Sequence, residues 1–192
     1  MVRAPLVAQE TKWVSNLISE DVSSTFAATP PLEGLRFMMS RCMTGERRKP
    51  AEALVLGFYD ISRAHFHSKA RRQIAIRVPK EDDQCSSGYA ILDKSMYGTK
   101  DAAQCFDLAV EEAMTTMGCK VGEFLPCLYH HPQTHVQVFR HGDDFVVLGS
   151  RQQQSDFYAQ LSKHFIVKHL ATLGPNSALG DSKEVRILNR IV

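Results

Sequence analysis

Residues 53–59, Ala-Leu-Val-Leu-Gly-Phe-Tyr, run straight into Asp60 and constrain the fold more than any other stretch. A nearly continuous apolar run of this length suits a buried strand. The acid behind it puts a carboxylate at the strand's end. A second apolar run, Phe145 to Leu148, is led by His141-Gly142-Asp143-Asp144. That tetrapeptide has the composition of a tight hairpin turn, and Val136, Val138 and Phe139 before it supply the partner strand.

The remaining elements follow from periodicity and punctuation. Pro30-Pro31 precede a helical pattern with Leu32, Leu35, Met39 and Cys42 on one face. Ile74, Ile76 and Val78 alternate with polar or small neighbours, and Tyr89 to Leu92 is the expected hairpin partner. Asp101 is a plausible N-cap for a helix carrying Phe106, Ala109, Val110, Ala113, Met114 and Met117 at helical spacing, and Gly118 closes it. Residues 152–164 read as an amphipathic helix, 165–168 as a further strand, and Val185 to Val192 as a terminal strand.

With the hairpin at 74–92 set aside as an insertion, the order is strand, helix, strand, strand, helix, strand. This β-α-β-β-α-β order is that of the ferredoxin-like α+β fold. In that sheet the third strand lies antiparallel beside the first. Asp60, at the end of the first, is therefore expected beside Asp143 and Asp144, at the start of the third. Clustered carboxylates repel unless positive charge lies between them. Mg²⁺, a hard cation preferring oxygen ligands, is the expected occupant. Two such ions can activate an attacking hydroxyl and stabilise a leaving oxygen, which is the chemistry of nucleotidyl transfer.

Bulk properties exclude several other classes. The chain has 192 residues, 44% hydrophobic and 23% charged, as expected of a globular domain with a real core. A net charge of +2 does not itself announce a nucleic-acid binder, although basic residues cluster at Arg47-Arg48-Lys49 and at Lys69, Arg71 and Arg72. The five cysteines form no C-x-x-C pair, so reduced thiols in an intracellular setting are expected rather than zinc ribbons or disulfides. No signal peptide or membrane span is expected. Eight histidines, among them His65, His67, His130, His131, His135 and His141, match no strong zinc spacing and read as solvated turn residues.

Several motifs, in order, resemble the reverse transcriptase domain of copia-type retrotransposons over roughly residues 1–170. Leu6 to Glu10 resembles the family's fingers segment. Phe26-Ala27, Leu32-Glu33 and Leu35-Arg36 resemble its F-A-P-V-x-x-L-E-x-x-R stretch. Tyr59 to His67 resembles the first catalytic motif, D-V-x-x-A-F-L-H. Lys94 to Lys100, Lys-Ser-Met-Tyr-Gly-Thr-Lys, resembles K-S-L-Y-G-L-K. Gly142-Asp143-Asp144 stands in the place of Y-V-D-D.

The resemblance implies an RNA-directed DNA polymerase with a ferredoxin-like palm. Its substrates would be an RNA or DNA template, a primer and deoxynucleoside triphosphates. Asp60, Asp143 and Asp144 would be the catalytic, metal-binding residues for two Mg²⁺ or Mn²⁺ ions, with the main-chain carbonyl of Ile61 as a further ligand. His65, Tyr97, Gly98 and Lys100 would lie against nucleotide or template. The implied division is a partial fingers region over 1–52, a palm over 53–170 carrying a fingers hairpin at about 70–95, and a loop and strand over 171–192, with the thumb absent or truncated. Four positions depart from the family. His65 replaces the Phe or Tyr that screens the ribose 2′-hydroxyl, and His141-Gly142 replaces Tyr-Val. Pro5 replaces a basic residue, and Ala103 a proline. They leave a second reading open, a retroelement remnant with a palm-like fold and no enzymatic role.

Overall fold

The structure, a computed structural model, describes residues 7–10, 30–44, 53–79, 81, 88–188 and 190–192. The expectations for Pro5, Leu6, Phe26-Ala27, Arg47 to Lys49 and Cys85 lie outside the described residues. The chain divides into two compact units, residues 28–62 with 111–192, and residues 1–27 with 63–110.

The first of these units is built on a six-stranded antiparallel sheet. Its strands are β1 (Val55–Ile61), β4 (Lys120–Val121), β5 (Leu128–His130), β6 (Gln137–His141), β7 (Asp144–Gly149) and β8 (Val167–Leu173), in the order β4-β5-β6-β7-β1-β8. The two strands with the longest apolar runs, β1 and β7, are adjacent and central. This follows from burial on both faces, which an edge strand could not give them. Each face has its own cover. Leu56 and Phe58 of β1, Val146 and Leu148 of β7 and Phe139 of β6 pack with Leu35 and Met38 of α1 (Leu32–Thr44) and with Ile187. Phe58 is fully buried, and each such side chain contributes about 1.5–3 kcal/mol by leaving water.

The opposite face, through Val55, Tyr59 and Val147, is held by α3 (Arg151–Leu161). Ser150 and Gln153 form a capping box at its start. Gln154, buried one turn in, donates from Nε2 to the Val55 and Val147 carbonyls, while its Oε1 accepts from the Tyr59 hydroxyl at 2.8 Å. The carbonyls belong to β1 and β7, so one amide ties both strands to the helix. Gly57 makes room for it, because a Cβ there would collide with Gln154 Oε1.

The second unit contains the hairpin β2 (Ala75–Arg77) and β3 (Tyr89–Ile91), a 3₁₀ turn over Ala64–His67, and the first part of α2 (Ala102–Thr116). α2 ends in the other unit, with Gly118 at φ 80 and the bonds Gly118 N to Thr115 O and Cys119 N to Met114 O. That pair is a Schellman motif, so the expected glycine stop is present.

Two expectations need correction. The strand expected at 165–168 is the longer β8. The terminal strand expected over Val185 to Val192 is two short strands, β9 (Arg186–Ile187) and β10 (Arg190–Ile191), paired as a hairpin next to Leu188 at φ 51. Folding back lets Val185, Ile187, Leu188 and Val192 cover the α1 side of the sheet. α1, in the stretch expected to be fingers, covers the side of the sheet opposite α3. Asp101 stands at the start of α2 as expected, its carbonyl accepting from Cys105 N, and its carboxylate is bound by Arg72.

Candidate active site

Asp60 and Asp144 are direct partners in the antiparallel ladder between β1 and β7. The Ile61 N–H donates to the Asp143 carbonyl at 3.0 Å, so ladder bonds flank the two aspartates rather than join them. This is the closely spaced kind of cross-strand pair, with Cα atoms about 4.5 Å apart and side chains on one face. The row continues on both sides. His141 on β6 pairs with Asp144, and Lys168 on β8 pairs with Asp60. Four consecutive strands thus present His141, Asp144, Asp60 and Lys168 in line.

Asp143 belongs to the turn beside this row. His141 and Asp144 close a two-residue hairpin through Gly142 and Asp143. Gly142 has φ 64 and Asp143 is not in the left-handed region, which is the pattern of a type II′ turn with glycine at its first central position. A side chain at position 142 would meet open space, so the conformation rather than crowding favours glycine.

The electrostatics follow from this arrangement. Burial is the largest cause of a raised Asp144 pKa, and the charges of Asp143 and Asp60 raise it further, while His141 opposes them. Asp60 is paired with Lys168, whose Nζ is 3.7 Å from Oδ2. The donor set of carboxylate oxygens fits a hard divalent cation. As the side chains stand, no group of three or more His, Cys, Asp or Glu among the described residues is gathered to hold a metal ion.

The other expected site residues belong to the second unit. His65 lies in the 3₁₀ turn, its Nδ1 3.1 Å from the Ala102 carbonyl and its ring 4.4 Å from that of Tyr97 in an edge-on contact. Phe106 and Phe66 flank these rings, Phe106 against His65 and Phe66 against Tyr97. Gly98 has φ 89, and the Ala8 carbonyl occupies the space a Cβ would need. Ala8 N donates to Tyr97 O, and Glu10 N to Gly98 O. Lys100 enters through its backbone, its N–H donating to Glu10 Oε2 at 2.8 Å.

Arg72 organises this unit. Its guanidinium bridges both oxygens of Glu10 and both of Asp101, at 2.9–3.1 Å. Hydrogen bonding to Arg72 is the largest cause holding both carboxyls below their ordinary range. A cleft of about 630 Å³ beside it is lined by Ala8, Glu10, Arg72, Ile74, Ile76 and Met96 among others. Sequence reasoning gave Arg72 only a place in a basic cluster, since nothing local signals two distant acids.

The cysteines Cys42, Cys105, Cys119 and Cys127 are unpaired thiols whose pKa burial raises, that of Cys119 to about 11, so none is an activated nucleophile. Among the described residues no helix is long and apolar enough to cross a membrane. No protein-family model matches the chain, and no curated protein matches it.

Proposed function

We propose that this chain has an RNA-directed DNA polymerase domain of the copia retrotransposon type, transferring deoxynucleotides to a primer 3′-hydroxyl. The observation that carries the reading is the in-register facing of Asp60 and Asp144 on the two central strands, with Asp143 in the adjoining turn. Taken from the β-α-β-β-α-β core alone, the order β8-β1-β7-β6 agrees with a ferredoxin-like palm. The motif resemblance supplies the reaction class, the template and the nucleotide substrate.

On this reading Asp60 and Asp143 hold the metal, with Asp144 in support and the Ile61 carbonyl as a further ligand. Divalent cations bound there supply an activated hydroxyl and stabilisation of the leaving pyrophosphate. The protein's own part is to keep the carboxylates aligned, which the β1–β7 register and the Gln154 bridge do. Calorimetry with Mg²⁺ and a deoxynucleoside triphosphate tests it. Asp60→Asn should remove most of the metal binding, because an amide cannot offset the ion's charge. Equal binding by the two proteins would sink the reading.

A second reading is a palm-like remnant without activity. It is favoured by His65 and His141 at positions where the family has Phe or Tyr, and by the Lys168 ammonium beside Asp60. Template-dependent primer extension that Asp143→Asn abolishes would dismiss it. Metal binding without extension would favour it.

A further inference from the structure

We propose that Lys168 is the resident counter-ion of the acidic pair, which a divalent cation must displace from Asp60 in order to bind; this rests on the metal-binding reading above. The ammonium is 3.7 Å from Asp60 Oδ2, and Lys168 is the β8 residue registered opposite Asp60.

That register is specific to an irregularity. Along β1 and β8, Leu56 faces Leu173, Gly57 faces Thr172 and Phe58 faces Ala171. One residue further on, Tyr59 faces His169, because Leu170 is left over as a bulge. Were Leu170 paired with Tyr59 instead of bulged, Asp60 would face His169, and Lys168 would stand opposite Ile61 and turn to the other side of the sheet. A single-residue slip exchanges the two faces of a strand, and bulges re-aim side chains in this way. The bulge therefore puts an ammonium beside Asp60 and sends the His169 ring against Tyr59, at 5.3 Å.

The surroundings fit a displaceable charge rather than a fixed one. Lys168 is 65% exposed while Asp60 is 28% exposed, so the carboxylate is held and the ammonium can leave. β8 is an edge strand of the sheet, and Lys168, His169 and Leu170 on it are exposed. Lysine carries a compact charge on a flexible stem, suited to pairing without rigid geometry. Across the row, Asp144 and Asp143 add negative charge that the ammonium partly offsets. A divalent cation on Asp60 would offset it more fully and would repel the ammonium.

The test uses Mn²⁺ alone as probe, on the full 192-residue chain and its Lys168→Met and Asp60→Asn variants. An exposed ion pair of this kind is worth a modest factor, so Lys168→Met should bind Mn²⁺ about two- to fivefold more tightly at low ionic strength. The advantage should shrink in high salt, which screens the lysine. Unchanged or weaker binding in Lys168→Met overturns the proposal. If Asp60→Asn binds Mn²⁺ as well as the parent, the metal-site reading fails instead. A thermal-unfolding cycle over Asp60→Asn, Lys168→Met and the double variant then judges the counter-ion by itself. Lys168→Met should lower stability in the parent and leave the Asp60→Asn background unchanged, with Mn²⁺ erasing the difference in the parent. Additive effects in the metal-free cycle overturn the proposal.

Discussion

Asp60 and Asp144 face each other across the closely spaced β1–β7 pair, with Lys168 beyond Asp60 and His141 beyond Asp144. Like charges placed directly opposite in a sheet oppose folding. The two strands remain paired because their remaining residues, Val55 to Tyr59 against Phe145 to Gly149, are buried apolar partners.

The first prediction follows from the charge on Asp144. Its folded pKa is raised, by burial first and then by Asp143 and Asp60, with His141 acting the other way. A raised folded pKa means that the protonated form is favoured on folding. That contribution is complete below the unfolded value of about 3.9 and is lost as pH rises through the folded value. Asp144→Asn should therefore be more stable than the parent at pH 7, by about 0.5–1 kcal/mol, and lose that advantage near pH 3.5. Urea midpoints at the two pH values measure it. A less stable Asn variant at pH 7 would show that the carboxylate is compensated by something other than His141.

The second prediction concerns Gln154, whose amide serves Tyr59 Oη and the carbonyls of Val55 and Val147. Gln154→Leu keeps the volume roughly constant, strips the buried Tyr59 hydroxyl of its acceptor and removes the amide's added bonds to two strand carbonyls, at a cost of about 2–3 kcal/mol. Chemical unfolding should show a lower midpoint with an unchanged slope. Gln154→Leu should also loosen the β1–β7 alignment, read as faster amide exchange at Ile61, the donor to Asp143.

The third prediction is a pH dependence of opposite sign in the other unit. Arg72 holds Glu10 and Asp101 below their ordinary carboxyl range. Depressed folded values contribute stability that is present above the unfolded values, about 3.9–4.3, and is lost as pH falls through the folded ones. Arg72 is 46% exposed, so solvent screening limits the whole effect to about 1 kcal/mol. Arg72→Met should thus be less stable than the parent at pH 7 and equal to it near pH 2.5. A deficit that persists in acid would mean that the arginine stem's packing, not its charge, matters.

Residues 53–60 and 141–148 made the central strands and their acids legible, because long apolar runs and a glycine-bearing turn are local signals. Lys168 was not legible. Its place opposite Asp60 depends on a bulge at Leu170, and one extra residue in an otherwise alternating strand leaves no local mark. Gln154 was hidden for a different reason. It is a polar residue on a helix whose periodicity is set by Phe157 and Leu161, and only the tertiary structure supplies carbonyls for it. Arg72 and Glu10 pair across a long sequence separation, beyond the reach of any periodicity. The terminal hairpin was read as one strand because Val185, Ile187, Leu188, Ile191 and Val192 dominate the segment, and the turn by Leu188 has no glycine to announce it.

The last prediction concerns His65 and applies on the polymerase reading. The resemblance puts this residue where the family places the ring that screens the ribose 2′-hydroxyl. Here the imidazole is pinned by Nδ1 to the Ala102 carbonyl at 3.1 Å and lies edge-on to Tyr97. Donation from Nδ1 fixes the neutral ring as the tautomer with Nε2 as acceptor. An acceptor at the sugar would satisfy a 2′-hydroxyl that a phenyl ring would repel, and an imidazole also fills less space. A site that satisfies an extra hydroxyl cannot discriminate against it. The parent should therefore exclude ribonucleotides poorly. His65→Phe should improve the deoxy-to-ribo ratio of kcat/KM by about tenfold, the order expected of one contact in a pocket. The substitution also breaks the bond to Ala102, so thermal unfolding of the same variant must accompany the kinetics. An unchanged ratio in a variant that stays folded would show that His65 does not face the sugar and that the motif register at Asp60 to His67 is misassigned.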